Sequence, residues 1–493
     1  MKKAEVVLIP LPAMGHIVAL VEVAKLLVQR DDRLSTTVLV MHPTLDPSTT
    51  KYTETLAVST LPDRMRVINL PNLESITSAT KGRRHWLTCL IEGQKSHVKE
   101  YASKIRTQYE LNPDSPRLAG FIFDTFATGM KDVPNEFGVP WYVFSASGAA
   151  FIGSMMHLTA LHDEQGVDLT GLKNSEDELE IPCLANPIPA KLVPSSVFEK
   201  DSLTIFLEHA RILTEARGIL INTFLEFESY AINSLSDGKT PPVYPVGPIV
   251  KHVGDAGDLR SDESNNYRDI MEWLDDQPPL SVMFLCFGSW GSFKEKQVKE
   301  IASALEHSGH RFLWSLRKPS QNGKKQSPSD YEDFQGILPE GFLDRTAMIG
   351  KVIGWAPQVE ILAHSAVGGF ASHCGWNSTL ESVRFGVPVA TWPLYAEQQF
   401  NAFQMVIELG LAVEIKMEYW KDFYGDTEII VSSDDILKAI KSVMEEDSEV
   451  RKKVKEMSRL SEKTLVAGGS SFSSLGRLIE DMTRGKHVMN QLF

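Results

Sequence analysis

The residues best suited to chemistry are concentrated in one stretch of 44 residues, from Trp355 to Gln398. It opens with a loop in which Pro357 restricts the preceding residue to extended or turn geometry, so that an indole and an amide are presented at a loop. Its functional side chains stand at loop or element-end positions, namely Trp355, Gln358, His373, Trp376, Asn377, Glu381, Glu397 and Gln398. This density of polar and aromatic groups favours a ligand-binding site.

The middle of this stretch predicts a strand, a polar turn and a helix in succession. Residues 367–370 form an apolar run typical of a strand, and residues 380–383 have helical spacing, with Asn377 or Ser378 as the N-cap. Unpaired amides and the positive end of the helix dipole would face the turn and favour a phosphate, with His373 as a further donor. Strand–turn–helix units also occur in α/β domains that bind nothing, so a purely structural role stays open.

Two further candidates follow apolar runs that predict strands in the first half of the chain. His16 comes after residues 6–9 and a proline-rich loop, and Asp124 ends the run 119–123. If these strands are parallel neighbours, both side chains lie on the rim where ligands bind in doubly wound sheets. Asp124 would then fix the tautomer of His16 and stabilise its protonated ring. The alternatives are a solvated loop histidine and an aspartate that serves a turn or caps a helix.

The stretch 355–398 resembles the signature box of plant family 1 UDP-glycosyltransferases. It matches that box in length, in its opening Trp-Ala-Pro-Gln, in its His-Cys-Gly-Trp-Asn-Ser core and in its closing acidic residue and Gln. The resemblance covers both halves of the chain, from the first strand to the last helix. It implies an α/β protein of GT-B architecture, with two Rossmann-like domains facing a cleft.

The resemblance assigns the matched residues to the parts of a UDP-sugar. Trp355 would stack on the uracil, Gln358 would lie beside the ribose, and Glu381 would grip both ribose hydroxyls. The implied contacts to the diphosphate and then to the sugar are His373, Asn377 and Ser378, followed by Trp376, Glu397 and Gln398. Ala356 and Gly375 complete the predicted donor site. A closing Gln is typical of members that prefer UDP-glucose to UDP-galactose.

The resemblance also implies the catalytic pair and a second phosphate contact. The dipeptide Gly15-His16 matches the family's catalytic histidine, and Asp124 matches its activating aspartate. After a buried apolar run, Gly288-Ser289 offers a backbone and a hydroxyl contact to an anion, and it resembles the family's phosphate loop. Trp290 stands where many members have a smaller or thioether residue. We therefore predict that His16 is the general base of a single-displacement, inverting transfer.

Composition and charge exclude several other classes of protein. The 493 residues are 43% hydrophobic and 23% charged, which is typical of a globular chain with two cores. The net charge of −14 argues against nucleic acid or an anionic membrane as the main partner. The four cysteines have no paired spacing that would indicate a disulfide framework or a zinc site. There is no Asp-x-Asp triplet, so we expect neither a metal nor a cofactor, with UDP-glucose as co-substrate.

Proline and polar clusters divide the chain. Residues 241–248 are proline-rich and are followed by the polar run 252–266, a combination that is typical of a domain linker. We predict an acceptor-binding domain at 1–248, a UDP-sugar-binding domain at 249–473, and a closing helix and tail at 474–493 that pack back on the first domain. No 18-residue apolar run predicts a membrane span. The expected protein is a cytoplasmic monomer.

The acceptor is the least defined part of the prediction. Apolar residues that would line a flat pocket, each equally suited to the core, are Met14, Trp86, Phe121, Phe126, Phe144 and Tyr395. Ser145 or Ser147 would contact the sugar or acceptor. The resemblance implies a β-O-glucoside of a flavonoid, lignan or phenylpropanoid. The alternatives are a glucose ester formed on a carboxylate, and a binding protein that holds a UDP-sugar or a phenolic ligand without turnover.

Overall fold

The computed structural model describes residues 3–44, 47–73, 83–251, 264–320, 328–420 and 429–483. These residues form two larger sheets, in which every strand pairing is parallel, and one short antiparallel hairpin. The strand order is β3-β2-β1-β4-β5-β8-β9 in the first sheet and β12-β11-β10-β13-β14-β15 in the second. The sheets agree with the predicted pair of α/β halves.

The strands of the first sheet are β1 Ala4–Ile9, β2 Leu34–Val40, β3 Met65–Asn69, β4 Arg117–Asp124, β5 Trp141–Ser145, β8 Ile219–Ile221 and β9 Val243–Pro245. The hairpin is made of β6 Glu178–Leu179 and β7 Ile188–Pro189. The strands of the second sheet are β10 Val282–Cys286, β11 Arg311–Ser315, β12 Gly350–Ile353, β13 Val367–Ser372, β14 Val389–Thr391 and β15 Ala412–Glu414.

Helices connect these strands. In the first half they are α1 Met14–Arg30, α2 Pro47–Val58, α3 Arg83–Leu111, α4 Asp132–Phe137, α5 Ala149–Gln165, α6 Lys200–Leu213 and α7 Ser229–Ser234. In the second half they are α8 Ser264–Asp275, α9 Glu295–Ser308, α10 Phe342–Thr346, α11 Gln358–Ala363, α12 Trp376–Phe385, α13 Gln398–Phe403, α14 Ser433–Met444, α15 Glu449–Thr464 and α16 Ser470–Thr483. Short 3-10 helices include Thr125–Met130, and a π-helical turn spans Gln404–Glu408.

The apolar side chains of the strands fill three cores. Val6 and Leu8 of β1 belong to one cluster and Val7 and Ile9 to another, as expected when successive side chains point to opposite faces of a sheet. The cluster that contains Val7 and Ile9 also contains Phe284 and Phe370 of the second sheet, so the two halves share one continuous core. Burial on both faces explains why these strands read as almost unbroken apolar runs.

The last helix, α16, returns to the first half of the chain. Asp481 accepts a hydrogen bond from the hydroxyl of Tyr142 at 2.7 Å and pairs with Arg217 at 2.8 Å. Arg117 donates to the carbonyl oxygen of Thr483 at 3.2 Å. Helix α16 begins at Ser470, four residues before the predicted closing segment, and the tail 484–493 lies outside the described residues.

Two other sequence features bear on this architecture. Residues 252–263 of the predicted linker lie outside the described ranges, so the domain boundary near Pro248 stays a prediction. None of the helices described is both long enough and apolar enough to cross a membrane.

Candidate active site

The first side of the site is formed where β1 and β4 end beside each other. The two strands are adjacent and parallel, with Ile9 opposite Phe123, so residues that follow them meet at one edge. Nδ1 of His16 lies 2.6 Å from Oδ2 of Asp124, and Oδ1 of Asp124 accepts a hydrogen bond from the amide of Phe126 at 3.0 Å. With both carboxylate oxygens in use, Nδ1 of His16 is the donor and Nε2 is the nitrogen left to act as a base.

His16 lies in a helix rather than in the loop that the sequence predicts. Helix α1 begins at Met14, and the amide of His16 donates to the carbonyl of Ala13 at 3.1 Å. This first turn carries the imidazole from the end of β1 towards Asp124. The side chain of His16 is 26% exposed while that of Asp124 is fully buried, so the ring can meet a ligand and the carboxylate cannot.

The pKa of His16 reflects opposing effects. Burial by itself lowers the pKa of His16, but the charge and hydrogen bond of Asp124, helped by the charge of Glu397, raise it above the ordinary value of 6.5. Burial also raises the pKa of Glu397, whose Oε1 accepts a weak hydrogen bond from Ser147 at 3.4 Å. The imidazole therefore has a stronger affinity for a proton than a free histidine, as a general base requires.

The second side of the site is formed by the predicted donor residues themselves. Nε2 of Gln358 donates to Oγ of Ser378 at 2.8 Å and to Oε2 of Glu381 at 2.6 Å. These residues lie on α11 and α12, so one amide ties the two helices together at the cleft. Ser378 accepts this bond and keeps its own hydroxyl proton for a ligand. The structure thus brings together residues that the sequence assigns to ribose and phosphate.

Helix α12 begins two or three residues earlier than the sequence predicts. Its N-cap is Gly375, which forms no side-chain cap, so the prediction of Asn377 or Ser378 as the N-cap is wrong. The reason is that the side chain of Asn377 bonds elsewhere, because its Nδ2 donates to the carbonyl oxygen of Gly15 at 3.0 Å. A Cβ on Gly15 would lie 2.9 Å from Nδ2 of Asn377, so glycine permits this approach between the halves. The first amides of α12 have no side-chain cap and are available to an anion.

His373 is held against two glycine-containing loops. It is 7% exposed, and a Cβ on Gly288 or on Gly375 would lie 2.6 Å from its Nε2. Burial lowers its pKa to about 4, so the ring is neutral at physiological pH. Nδ1 has no hydrogen-bond partner within the described residues. As a ligand for a diphosphate, His373 would therefore act as a neutral donor.

The side chains of two predicted sugar contacts already form hydrogen bonds within the protein. Trp376 is 3% exposed, and its indole Nε1 donates to the carbonyl of Asn222 at 2.7 Å, so its main chain rather than its indole faces the turn. Oε1 of Gln398 accepts from the amides of Leu394 and Tyr395 at 2.9 and 3.0 Å. This fixes the amide of Gln398 and leaves its NH2 group as the donor for a ligand.

Other predicted donor residues lie around this cluster with differing exposure. Ser289 is exposed in the loop after β10, Trp355 is half-buried before α11, and Ala356 is buried. Glu397 is half-buried beside His16, as described above. Among the described residues, no group of three His, Cys, Asp or Glu side chains is placed to hold a metal ion.

The predicted acceptor residues separate into two groups. Phe121 and Phe144 are wholly buried, because strand alternation directs them into the cores on either face of the first sheet, so their place in an acceptor pocket is wrong. Ser145 is also buried and bonds within its own turn, to the carbonyl of Ser147 at 2.9 Å. The half-buried members, which keep surface for a ligand, are Met14, Trp86, Phe126, Ser147 and Tyr395.

Sequence reasoning missed the residues that join the two halves and shape the turns. Cys374 and Ala396 have positive φ angles of 61° and 62°, which are rare for residues other than glycine and mark constrained turns.

The buried Glu228 is another residue that the sequence did not indicate. Its carboxylate accepts hydrogen bonds from the amides at the start of α5 and from Nε2 of Gln404 at 2.7 Å. No residue type signals a left-handed Cys or Ala, and the Glu228 contact joins residues 176 apart in sequence.

Comparisons with known proteins identify the family of the chain. A family model described as "UDP-glucoronosyl and UDP-glucosyl transferase" matches residues 239–466. The chain is 54% identical to UDP-glucose flavonoid 3-O-glucosyltransferase 6 of Fragaria ananassa, over 98% of this chain and 99% of the relative. It is 53% identical to anthocyanidin 3-O-glucosyltransferase 1 of Manihot esculenta, over 96% of this chain and all of the relative.

Solved structures give the same result for the fold. A transferase from Siraitia grosvenorii in complex with UDP superimposes with a TM-score of 0.83 at 44% identity, covering 97% of this chain and all of the other. A Medicago truncatula enzyme complexed with UDP-glucose gives a TM-score of 0.82 at 35% identity, covering 97% and 98%. These comparisons confirm the predicted GT-B fold and family. The chain therefore belongs to the plant family 1 UDP-glycosyltransferases.

Proposed function

We propose that this enzyme transfers glucose from UDP-glucose to a hydroxyl of a phenolic metabolite with inversion, giving a β-O-glucoside. The observation that carries the proposal is the 2.6 Å contact between His16 and Asp124 on the side of the cleft that faces the donor residues. The flavonoid and anthocyanidin acceptors in the names of the relatives support a flavonoid-like substrate. A complete His–Asp pair does not favour a non-catalytic binding protein, nor do these relatives favour ester formation.

The donor would be held by the second half of the chain. Trp355 stacks on the uracil, and the Gln358–Glu381 pair, joined at 2.6 Å, presents a carboxylate to the ribose hydroxyls. The diphosphate lies at the start of α12, where the uncapped amides and the positive end of the dipole favour an anion. The NH2 group of Gln398 and the carboxylate of Glu397 face the sugar hydroxyls.

The chemical step would be one displacement at the anomeric carbon. Nε2 of His16 removes the proton from the acceptor hydroxyl as its oxygen forms the new bond, and the bond to the UDP oxygen breaks. Asp124 keeps Nδ1 protonated and stabilises the imidazolium that results. The negative charge that develops on UDP is stabilised by the α12 amides, Ser378 and Ser289, which are in place before the reaction begins. This arrangement needs no metal, and activity that disappears with a chelator would contradict it.

The roles of the domains follow from these contacts. We propose that residues 1–248 bind the acceptor, residues 249–473 bind UDP-glucose, and residues 474–493 close back on the first domain, with support from the Asp481 contacts of α16. We further propose that the protein is cytoplasmic. We also propose that it is a monomer, because one chain supplies both sides of the site. Size-exclusion chromatography with light scattering tests the monomer.

A direct assay tests the reaction. The enzyme is incubated with UDP-glucose and a flavonol such as kaempferol, and the products are analysed by mass spectrometry for a hexose adduct. Proton NMR of the product then reports the anomeric configuration. A β-linked O-glucoside is expected, whereas hydrolysis of UDP-glucose without an adduct, or an α-linked product, would overturn the proposal.

A further inference from the structure

A second buried imidazole lies near the catalytic pair and has no part in the mechanism described above. His209, on α6, is 7% exposed. The ring of Phe126 stands edge-on to both histidines, with its centroid 6.4 Å from that of His16 and 5.4 Å from that of His209. Phe126 is half-buried, so the two imidazoles flank an aromatic surface on the acceptor side of the cleft.

Thr128 leaves one nitrogen of His209 for a ligand. Oγ1 of Thr128 lies 2.8 Å from Nδ1 of His209 and 3.2 Å from the carbonyl oxygen of Thr125. The single hydrogen of this hydroxyl can be donated to either group, so Thr128 is compatible with both tautomers of His209. Nε2 carries the proton in one tautomer and the lone pair in the other. A phenolic hydroxyl both donates and accepts, so it can bond to Nε2 in either tautomer.

Nε2 of His209 is available for a hydrogen bond with a ligand. Burial lowers the pKa of His209 to about 4, so the ring stays neutral under assay conditions. In the part of the chain that the structure describes, Nε2 has no hydrogen-bond partner, and the residue is not completely enclosed. Nε2 is not fully enclosed by the protein, so a hydroxyl of a ligand can reach it and supply the missing hydrogen bond.

We propose that Nε2 of His209 forms a hydrogen bond with a second hydroxyl of the phenolic acceptor, one that is not glucosylated. The reacting hydroxyl lies at His16, and the aromatic body between the two hydroxyls packs on Phe126. His209 thereby makes the enzyme prefer polyhydroxylated aromatics, because a site built to bond a hydroxyl disfavours an analogue that lacks it. This inference deepens the proposed function and rests on it.

Two matched substitutions separate the bond from the packing. The amide of Asn in His209→Asn can still form a hydrogen bond with Thr128, as Nδ1 does, but it has no atom at the position of Nε2. The longer amide of His209→Gln can return a polar atom to that position. Both variants are first checked for an unchanged thermal transition, so that a change in binding is not confused with unfolding.

The probes are two pairs of different length, 2-naphthol with 2,6-dihydroxynaphthalene and 4-hydroxybiphenyl with 4,4′-dihydroxybiphenyl. KM and kcat are measured for each, corrected for the two equivalent hydroxyls of each diol. In the wild type we expect at least one diol to have a KM about tenfold below that of its monohydroxyl partner. His209→Asn should abolish this preference and leave kcat and the KM for UDP-glucose unchanged, and His209→Gln should restore part of it.

Two outcomes would overturn the inference: no diol preference in the wild type, or an equal loss for both members of a pair in His209→Asn. Calorimetry of acceptor binding in the presence of UDP makes the same comparison without turnover. If the wild type forms no glucoside but binds a diol preferentially through His209, the proposed function fails and only the contact between His209 and a ligand hydroxyl remains. If glucoside forms with no dependence on the second hydroxyl, the reverse holds.

Discussion

The proposed donor side of the cleft is built from residues close in sequence, whereas the proposed catalytic pair is assembled from distant ones. Gln358 and Glu381 are 23 residues apart and joined directly, while His16 and Asp124 are 108 residues apart and meet because β1 and β4 are neighbours in the sheet. The donor geometry thus depends on the joint between two short helices. The catalytic geometry depends on the register of a whole sheet.

This difference predicts different kinetic effects. Loss of a donor contact should weaken binding of UDP-glucose, because that contact is present before and during reaction. Loss of the base should slow the chemical step and leave nucleotide binding intact. Three of the substitutions below test this contrast, and a last pair tests the contact between the two halves.

The largest effect is expected for His16→Ala. Removing the base should lower kcat by about 10²–10⁴-fold with a weakly acidic phenol, because the hydroxyl then has to lose its proton without help. The Kd for UDP, measured by calorimetry, should stay within error of the wild type. Near-normal turnover in this variant would remove His16 from its role, and a large loss of UDP affinity would show that the two sides are not independent.

A smaller effect, on the donor side, is expected for Glu381→Ala. The change removes the carboxylate that pairs with Gln358 and is proposed to bind the ribose, so the KM for UDP-glucose should rise about tenfold or more with little change in kcat. Steady-state kinetics with the acceptor at saturation make the measurement. A fall in kcat with an unchanged KM would contradict the donor assignment.

The pH dependence tests the electrostatic environment of the base. Since the pKa of His16 is raised above 6.5, the acidic limb of kcat/KM should lie above that value, with activity lost as the pH falls and the ring becomes protonated. Glu397→Gln removes a charge that helps to raise this pKa, so the limb should move to lower pH, whatever the change in rate. A limb at or below 6.5 in the wild type, or one that moves upward in Glu397→Gln, would contradict the assignment.

The raised pKa of His16 also makes the stability of the fold depend on pH. The folded-state pKa of His16 is higher than the unfolded one, so the His16–Asp124 pair stabilises the fold fully below pH 6.5. That contribution is lost as the pH rises through the folded pKa. The base is therefore active in the pH range where its ion pair contributes least to stability.

The smallest effect on catalysis is expected for Trp376→Phe. It removes the 2.7 Å hydrogen bond between the two halves and leaves the buried carbonyl of Asn222 unpaired, which should lower the free energy of unfolding by about 1–3 kcal/mol. The urea unfolding midpoint reports this change. Trp314→Phe is the matched control, because the buried Nε1 of Trp314 has no partner among the described residues and its loss costs no hydrogen bond. Equal destabilisation in the two variants would mean that the bond to Asn222 contributes nothing.

The sequence marks the proposed donor residues clearly because they lie in one continuous stretch. It placed His16 and Asp124 on one rim because both follow apolar runs that predict parallel strands. It misplaced the N-cap of α12, since a pattern of residue types cannot show that the amide of Asn377 bonds to Gly15 on the other half of the molecule. The start of a helix depends on such contacts as well as on local preference.

The acceptor side was harder to predict because its residues are far apart in sequence, as those of the His16–Asp124 pair are. Phe121 and Phe144 are apolar and aromatic, as an acceptor pocket requires, but each lies on a face of its strand that points into the core. His209 lies within a helix, and its partner Thr128 is 81 residues away, so no local pattern marks it. Only the packing of α6 against the segment that follows β4 shows that the two residues meet.

The central claim is that an imidazole on the first half of the chain acts on an acceptor beside the sugar held by the second half. A crystal structure with an unreactive UDP-glucose analogue and a phenol tests it most directly. We expect Nε2 of His16 within about 2.6–3.2 Å of the acceptor hydroxyl, with that oxygen directed at the anomeric carbon. An imidazole more than a side chain's length from the bound sugar, with no closure of the cleft that bridges the gap, would contradict the mechanism.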